Sequence, residues 1–396
     1  MKETPGDEEK KAISSSILPQ QLPWRFIRLH PRFNVEETLD LLLKVDRIPS
    51  IRPVPWSLSS NPPSSTSPPP SLPFYAIPGE TNLPSTTAYR TGRIYGQDVS
   101  SGQAVAVLLE DLDSRTECNN NNNIRILDLC ASPGLKLCAM ADLCFARGCP
   151  NVTIVGVDIS RDRLHLCQRL LQKYQSSSQQ QVHIQLYWGD GTTWGLLSSS
   201  LKEHELVYDS RVAEQQLQLQ DGQKRRNKSA RHRERKLLRN IQQQQQQQQQ
   251  SQPCDELFDY VLVDAECSTD GSLSHRGGGG GEQHTTEEDL VALQRRLLQR
   301  GFDVLRPGCS LVYSTCSLED VQNSGVVEQF LLQTTTAQTV PLYWTQQGCA
   351  VPPTAVRPAR LPGTIQFYPS SDDPLFGSGL FVAKIRKSMN AKQYKG

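Results

Sequence analysis

The sequence predicts an α/β fold with a central, largely parallel sheet, and three observations lead to this prediction. Apolar runs at residues 124–129 and 152–157 have the composition of buried parallel strands, and each is followed by a helical pattern. Similar runs recur at residues 182–188, 257–264 and 310–316. Three of the runs end in an aspartate or are followed by one within two residues. Strands that alternate with helices in this way are typical of βαβ units.

The first strand leads into a turn that favours ligand binding. Pro133 and Gly134 stop the strand, let the backbone approach a ligand closely, and start a helix whose first amides point at that ligand. In open α/β sheets, ligands bind outside the carboxyl ends of the strands. An ordinary strand-to-helix turn would look the same in isolation. The strands that follow favour a ligand-binding turn over an ordinary one.

Aspartates at the ends of the later strands indicate a nucleoside ligand. Asp158 ends the second strand, where a carboxylate suits ribose hydroxyls. Asp190 ends the third strand and could reach an adenine amine. The chain has no G-x-G-x-x-G phosphate motif, so a nucleoside without a pyrophosphate, such as S-adenosylmethionine, fits better than NAD. Each aspartate alone could equally be a solvated loop residue.

Composition limits the classes of protein that remain. The 396 residues carry a net charge of +1, so any surface for nucleic acid must be local. The eleven cysteines show no C-x-x-C spacing, which indicates a reducing intracellular compartment, either nucleus or cytoplasm. No apolar run approaches a membrane span. We expect no metal, no membrane and a monomer.

Composition also divides the chain into segments. A small α+β module with a Pro/Ser-rich loop is expected before the main domain, and the main domain carries a basic and glutamine-rich insert. We expect this insert to lie near the ligand cleft, where it could contact phosphates, act as a nuclear address or be merely solvated. The predicted boundaries are a tail at 1–16, the module at 17–92 with its loop at 53–72, the main domain at 93–387 with its insert at 208–253, and a tail at 388–396.

Two cysteines stand at the carboxyl ends of neighbouring predicted strands. Cys267 lies in the loop after Asp264, and Cys316 ends the fifth strand. Ser317 is predicted to cap a helix, which would place Cys316 at a helix N-terminus and lower its pKa. A buried structural cysteine is the usual alternative, but both thiols are followed by polar loop residues on the ligand side.

Methylation of an unactivated pyrimidine carbon would use such thiols. The 5-carbon of cytosine is a poor nucleophile until a thiolate adds to the 6-carbon, and a base must then remove the proton at the 5-carbon. Asp264 could hold the cytosine edge during that addition.

These motifs together resemble those of the Sun-family (Fmu-like) RNA cytosine-5 methyltransferases. The resemblance extends over most of residues 95–387, apart from the insert, and the linked set is more specific than any one motif. It is carried by Tyr95-Gly-Gln-Asp-Val-Ser-Ser101, Asp128-Leu-Cys-Ala-Ser-Pro-Gly-Leu-Lys136, Asp158, Asp264-Ala-Glu-Cys267, Val312-Tyr-Ser-Thr-Cys-Ser317 and Gly379-Leu-Phe-Val-Ala-Lys384.

The resemblance implies a fold, a cofactor and a partner. It implies a Rossmann-like class I methyltransferase with a seven-stranded mixed sheet, an amino-terminal module like an RNA-recognition fold, S-adenosylmethionine as cofactor, and tRNA or rRNA as substrate. Cys316 would be the nucleophile, Cys267 would assist release of the product, and Asp264 would lie between cofactor and base. The residues implied to bind the cofactor are Cys130, Ala131, Ser132, Pro133, Gly134, Leu135, Lys136, Asp158, Arg163, Asp190 and Asp264.

The chain departs from the family at one informative position, and two other functions stay open. Glu266 replaces the usual proline before Cys267, and its carboxylate is expected to raise the pKa of that thiol. A catalytically silent, RNA-binding assembly factor would keep the same fold. An enzyme acting on DNA cytosine or on a small molecule is the third possibility, and a DNA enzyme would attack from Cys267.

Overall fold

The computed structural model describes nine stretches of the chain. They are residues 24–59, 72–112, 123–175, 182–195, 204–213, 257–271, 286–346, 356–369 and 377–389. Residues 17–23 of the predicted module, most of its Pro/Ser-rich loop and nearly all of the basic and glutamine-rich insert lie outside these stretches.

The first part of the chain forms a small antiparallel sheet with short helices. The sheet order is β2-β4-β1-β5. β3 pairs instead with a strand of the main domain. The elements are β1 (Trp24–Leu29), α1 (Val35–Asp40), β2 (Arg52–Pro53), β3 (Trp56–Ser59), β4 (Phe74–Pro78), α2 (Thr87–Arg90) and β5 (Ile94–Gly96).

The main domain alternates helices and strands, as the sequence predicts. Its elements are α3 (Val99–Leu108), β6 (Ile124–Asp128), α4 (Leu135–Ala146), β7 (Val152–Asp158), α5 (Arg161–Tyr174), β8 (Val182–Gly189), β9 (His204–Asp209), β10 (Phe258–Asp264), α6 (Glu287–Asp303), β11 (Leu305–Thr315), α7 (Ser324–Gln333), β12 (Ala337–Val340), β13 (Tyr343–Gln346), β14 (Val356–Pro358), β15 (Ile365–Phe367) and β16 (Leu380–Lys387).

The central sheet contains the expected mixed pattern and extends beyond it. Strands β8, β7, β6, β10 and β11 are parallel in that spatial order. β16 is antiparallel to β11, and β15 is antiparallel to β16, so these seven strands form the predicted mixed sheet. Within the described residues β9, β12 and β14 extend it to ten strands. Periodicity missed these three because they are short and partly exposed.

Helices cover both faces of the sheet. Helices α3, α4 and α5 pack against one face through buried side chains such as Val105, Leu137 and Leu164. Helices α6 and α7 pack against the other face, where Leu298 and Val327 are fully buried. Strands covered on both sides have few polar positions, which is why they are nearly continuous apolar runs in the sequence. Among the described helices, none combines the length and apolar character that crossing a bilayer requires.

A buried ion pair joins the amino-terminal module to the main domain. Arg28 of β1 donates to Asp142 of α4, and neither side chain is more than 2% exposed. Arg28 also donates to Gln97 at 2.7 Å, and its guanidinium carbon lies 3.9 Å from the ring centroid of Tyr95. Removing one partner of such a pair costs about 3–5 kcal/mol because a buried charge is left uncompensated. The pair therefore fixes how the module sits on the domain.

The insert was predicted to lie near the cleft, but the two points where it joins the domain lie at the other end of the parallel strands. β9 is antiparallel to β8 and pairs Asp209 with Gln185, so it returns the chain to the amino ends of the parallel strands. β10 begins at Phe258 on that same edge. The chain thus leaves for the insert, and returns from it, on the side opposite the carboxyl ends. The error follows from missing β9, whose last two residues fall inside the predicted insert.

Candidate active site

The carboxyl ends of the parallel strands form a cleft bordered by the turn between β6 and α4. Gly134 begins α4 with φ of +100°, in the left-handed region that favours glycine. A Cβ atom at this position would lie 2.5 Å from the Sγ atom of Cys167. The turn therefore accepts no other residue without strain, and it directs Lys136 toward the end of β10.

Asp158 and Arg163 hold the outer part of this turn. The carboxylate of Asp158 is 6% exposed and accepts hydrogen bonds from the amides of Ser132 at 3.0 Å and Ser160 at 2.9 Å. Arg163 donates to the carbonyl of Ser132 at 2.9 Å. The two side chains thus shape the turn from behind, and each Asp158 oxygen keeps acceptor capacity for a ligand hydroxyl.

Asp190 lies at the end of β8 and is exposed. Its Oδ1 atom accepts from the amide and the hydroxyl of Thr192, both at 2.8 Å, and so begins a short 3₁₀ turn. These bonds fix the direction of the carboxylate at the rim of the cleft. The structure thus brings Asp158 and Asp190 to adjacent strand ends.

Asp264 connects the turn after β6 with the end of β11. It accepts from Lys136 Nζ at 2.6 Å and from Ser314 Oγ at 2.6 Å. Burial works against the charge of Lys136, but the Asp264 carboxylate outweighs it and raises the pKa of the ammonium group. Lys136 therefore stays charged, and it holds Asp264 in the centre of the cleft.

Asp128 is a buried carboxyl that the predicted site did not include. It is 1% exposed, and its Oδ1 atom accepts from the amide of Cys130 at 3.2 Å. Burial, together with the negative charge of Asp264, raises the pKa of Asp128 to about 7. Its place at the end of the first strand, between the strands that end in Asp158 and Asp264, was the available signal.

The two thiols meet. The Sγ atoms of Cys267 and Cys316 are 3.0 Å apart. Cys267 is only 8% exposed, whereas Cys316 is partly open to solvent. The hydrogen bond that Cys316 donates lowers the pKa of Cys267, and the same bond raises the pKa of Cys316. Once ionised, the pair holds one proton between two sulfur atoms.

The structure corrects two expectations about these thiols. Cys316 does not lie at the N-terminus of an α-helix, because Ser317 instead accepts from the amide of Glu319 in a turn and α7 begins only at Ser324. The hydrogen bond with Cys267, together with burial, raises the pKa of Cys316 rather than lowering it. The expectation that Glu266 raises the pKa of Cys267 is also wrong. The hydrogen bond from Cys316 dominates and lowers it.

The fold is that of a class I, Rossmann-like methyltransferase. Residues 210–386 match the family model described as 16S rRNA methyltransferase RsmB/F. This match confirms the resemblance to the Sun family over that part of the chain.

Curated relatives match the chain either over a short segment or over most of its length at lower sequence identity. Ribosomal RNA small subunit methyltransferase F of Klebsiella pneumoniae is 35% identical over 135 residues, which is 34% of this chain and 26% of the relative. The protein of the same name from Shewanella woodyi is 24% identical over 81% of this chain and 51% of its own length. The chain thus spans about half, or less, of the length of these relatives.

Solved structures share the fold over nearly the whole chain. The structure titled NSun6 from Pyrococcus horikoshii with SFG has a TM-score of 0.56 and 16% identity, covering 97% of this chain and 95% of that one. A methyltransferase homolog protein from the same organism has a TM-score of 0.53 and 20% identity, covering 93% and 87%. At these identities the likeness is one of fold.

Proposed function

We propose that this protein transfers a methyl group from S-adenosylmethionine to the 5-carbon of cytosine in tRNA or rRNA. The observation that carries the proposal is the pair of thiols, 3.0 Å apart, at the ends of neighbouring strands beside an acidic nucleoside cleft. The 16S rRNA methyltransferase name of the matching family model supports RNA as the substrate. A silent binding factor would have no use for two converging thiols.

The lining of the cleft fits S-adenosylmethionine. Ser132 Oγ is buried and has no hydrogen-bond partner among the described residues, so a ligand atom would satisfy it. Gly134 leaves the turn uncovered by a side chain, and the exposed carboxylate of Asp190 suits an adenine amine. With Asp158 near the ribose, these residues would hold the cofactor, which supplies an electrophilic methyl group on a sulfonium centre.

The two thiols would serve different steps of the reaction. Cys316 is the more accessible sulfur, so its thiolate, formed by loss of the thiol proton to solvent, would form the bond to the 6-carbon of cytosine. This addition gives the 5-carbon the electron density of an enamine. After methylation a base removes the proton at the 5-carbon, the bond to Cys316 breaks, and the double bond of the ring is restored. Cys267 lies beside Cys316 to assist that release.

The Lys136–Asp264 pair would place the base next to the cofactor. The side chain of Asp264 is 26% exposed and already accepts from Lys136 and Ser314, so its oxygen atoms are oriented to accept a further hydrogen bond from the exocyclic amine of cytosine. An RNA helix buries the 5-carbon, so the target must lie in a loop or be flipped out of a stem.

A basic groove on α6 supports RNA as the partner. It has a volume of about 350 Å³ and is lined by Arg295, Arg296 and Arg300, with Asp303 as its one acidic member. Thr192, whose amide and hydroxyl donate to Asp190 at the rim of the cleft, also lines the groove, so the groove adjoins the cleft. Phosphates that flank a base in the cleft would meet these guanidinium groups.

Labelled methyl transfer tests the proposal. The purified protein is incubated with total tRNA or rRNA and S-adenosylmethionine carrying a labelled methyl group, and the RNA is digested to nucleosides for mass spectrometry. We expect label in 5-methylcytidine with wild type and none with Cys316→Ala. Label in another nucleoside, or equal labelling by the Cys316→Ala protein, would contradict the proposed chemistry.

The location and assembly of the protein are also proposals. All eight cysteines in the described residues are free thiols, which supports a reducing compartment inside the cell, nucleus or cytoplasm. We propose a monomer, which light scattering of the purified chain would test.

A further inference from the structure

Two neighbouring amide side chains lie between the loops that carry the thiols. Gln322 and Asn323 end the short 3₁₀ turn that precedes α7, and they are 1% and 2% exposed. Neither touches the sulfur atoms in any hydrogen bond of the described residues. Each is instead bonded to the backbone or side chains on either side of one cysteine.

Gln322 fixes the backbone around Cys267. Its Oε1 atom accepts from the amide of Ser268 at 3.0 Å. It also accepts from Gln294 Nε2 at 3.2 Å, and that same nitrogen donates to the carbonyl of Glu266 at 2.8 Å. The two peptide groups that flank Cys267 are therefore both held, one directly by Gln322 and one through the fully buried Gln294.

Asn323 fixes the backbone around Cys316 in the same way. Its Oδ1 atom accepts from the hydroxyl of Thr315, and its Nδ2 atom donates to the carbonyl of Ser317 at 2.9 Å. Gln366 accepts a second hydrogen bond from Nδ2, also at 2.9 Å. Both residues adjacent to Cys316 are thus tied to one side chain.

We propose that Gln322 and Asn323 are positioning residues that serve different steps of the reaction. This inference rests on the proposed function. Asn323 holds Cys316 for attack on the 6-carbon, and Gln322, with Gln294, holds Cys267 for release of the methylated product. Because the two amides are neighbours along the chain, one rigid turn sets the separation of the two sulfur atoms. The hydroxyl of Tyr313 donates to the carbonyl of Gln322 at 2.7 Å and anchors that turn to β11.

The attack step is measured in a Cys267→Ala background, where release is blocked and the covalent RNA adduct accumulates. Asn323→Leu keeps the side-chain size but removes both its donor and its acceptor, and we expect it to slow adduct formation about tenfold, since small misplacements of a reacting group are costly. Gln322→Met in the same background should leave that rate unchanged.

The release step is measured with Cys267 intact. Gln322→Met should accumulate adduct about tenfold above wild type while methylated RNA forms more slowly. Gln294→Met should do the same, which provides a second variant if the first folds poorly. Gln172→Met, at an exposed position of α5 outside the groove, is the matched control and should behave as wild type. Melting temperatures identify variants that fail to fold.

The outcomes separate this inference from the proposed function. If Cys267→Ala forms no adduct and wild type methylates no RNA, the proposed function itself fails. If Cys267→Ala forms adduct, but Asn323→Leu and Gln322→Met slow both steps by the same factor or change neither, the assignment of the two amides to separate steps is overturned.

Discussion

Asp128 is the residue of the site whose ionisation costs the folded protein stability. It lies buried at the end of β6 near the carboxyl group of Asp264, and Lys136 donates its hydrogen bond to Asp264. The raised pKa of Asp128 means that near neutral pH the folded protein must either bind a proton here or bury a second negative charge. A structural cost of this kind is common where charges are gathered for binding.

Asp128→Asn tests that cost through the pH dependence of stability. Between the ordinary pKa of 3.8 and about 7, folded Asp128 keeps a proton that the unfolded chain has lost. Stability therefore falls as pH rises through this window. The variant lacks the ionisation, so its stability relative to wild type should be higher at pH 8 than at pH 5 by roughly 3 kcal/mol. Urea denaturation at both pH values measures this difference.

An equal effect of Asp128→Asn at pH 5 and pH 8 would contradict the account. Asp162→Asn is a suitable control because Asp162 is exposed at the start of α5, and its stability difference from wild type should change little over the same range.

The turn between β6 and α4 is the element that positions the cofactor side of the cleft. Gly134→Ala places a Cβ 2.5 Å from the sulfur of Cys167 at a positive φ. We expect a loss of about 1–3 kcal/mol from backbone strain alone, and weaker cofactor binding because the turn must move. Calorimetry of S-adenosylmethionine binding and thermal melts measure the two effects.

Gly148→Ala is the control for that turn. Gly148 also has a positive φ, of +62°, but a Cβ there would meet no atom within 4 Å. It should lose stability through strain and keep wild-type cofactor affinity. Unchanged cofactor affinity in Gly134→Ala would show that the turn does not shape the binding site.

At the scale of elements, the sequence predicted the buried strands and missed the edges. Four of the five parallel strands are mostly apolar runs, and β8 alternates apolar with polar residues, so all five are easy to recognise in the sequence. β9, β12 and β14 have no such run, and without β9 the insert was placed at the wrong edge of the sheet. The Cys316 loop was misjudged for a related reason: Ser317 has the chemistry of a cap, but its bond to Glu319 closes a turn that precedes α7.

The sequence likewise predicted some residues of the site and missed others. Strand ends could be located from sequence, so Asp264, Cys267 and Cys316 were expected together and do lie together. The residues that hold them come from the turn before α7 and from the middle of α6. Gln294 and Gln322 carry no local signal, because a buried amide is recognised only by its partners in space.

For the whole molecule, the near-zero net charge leaves RNA binding to local surfaces. Arg295 and Arg296 are exposed on α6, and no ion pair engages them among the described residues. The attachment points of the insert lie at the amino ends of the parallel strands, whereas the cleft lies at their carboxyl ends. The groove is therefore better placed than the base of the insert to meet RNA entering the cleft.

Charge reversal in the groove tests this arrangement. Arg295→Glu and Arg296→Glu should each raise the KM for RNA about tenfold with little change in kcat, and each should reduce the salt slope of RNA binding by about one. Arg169→Glu on α5 makes the same charge change at an exposed position outside the groove and should have a smaller effect. Equal effects at all three positions would show that only net charge matters.

The central claim is that the two thiols have separate roles at one cytosine, and a denaturing gel tests it most directly. Wild type, Cys267→Ala and Cys316→Ala are incubated with total RNA and S-adenosylmethionine, and a slow protein–RNA band marks the covalent adduct. We expect only Cys267→Ala to accumulate this band. A band that accumulates only in Cys316→Ala would assign the attack to Cys267, and the absence of any band together with unlabelled RNA would favour a binding factor on a methyltransferase fold.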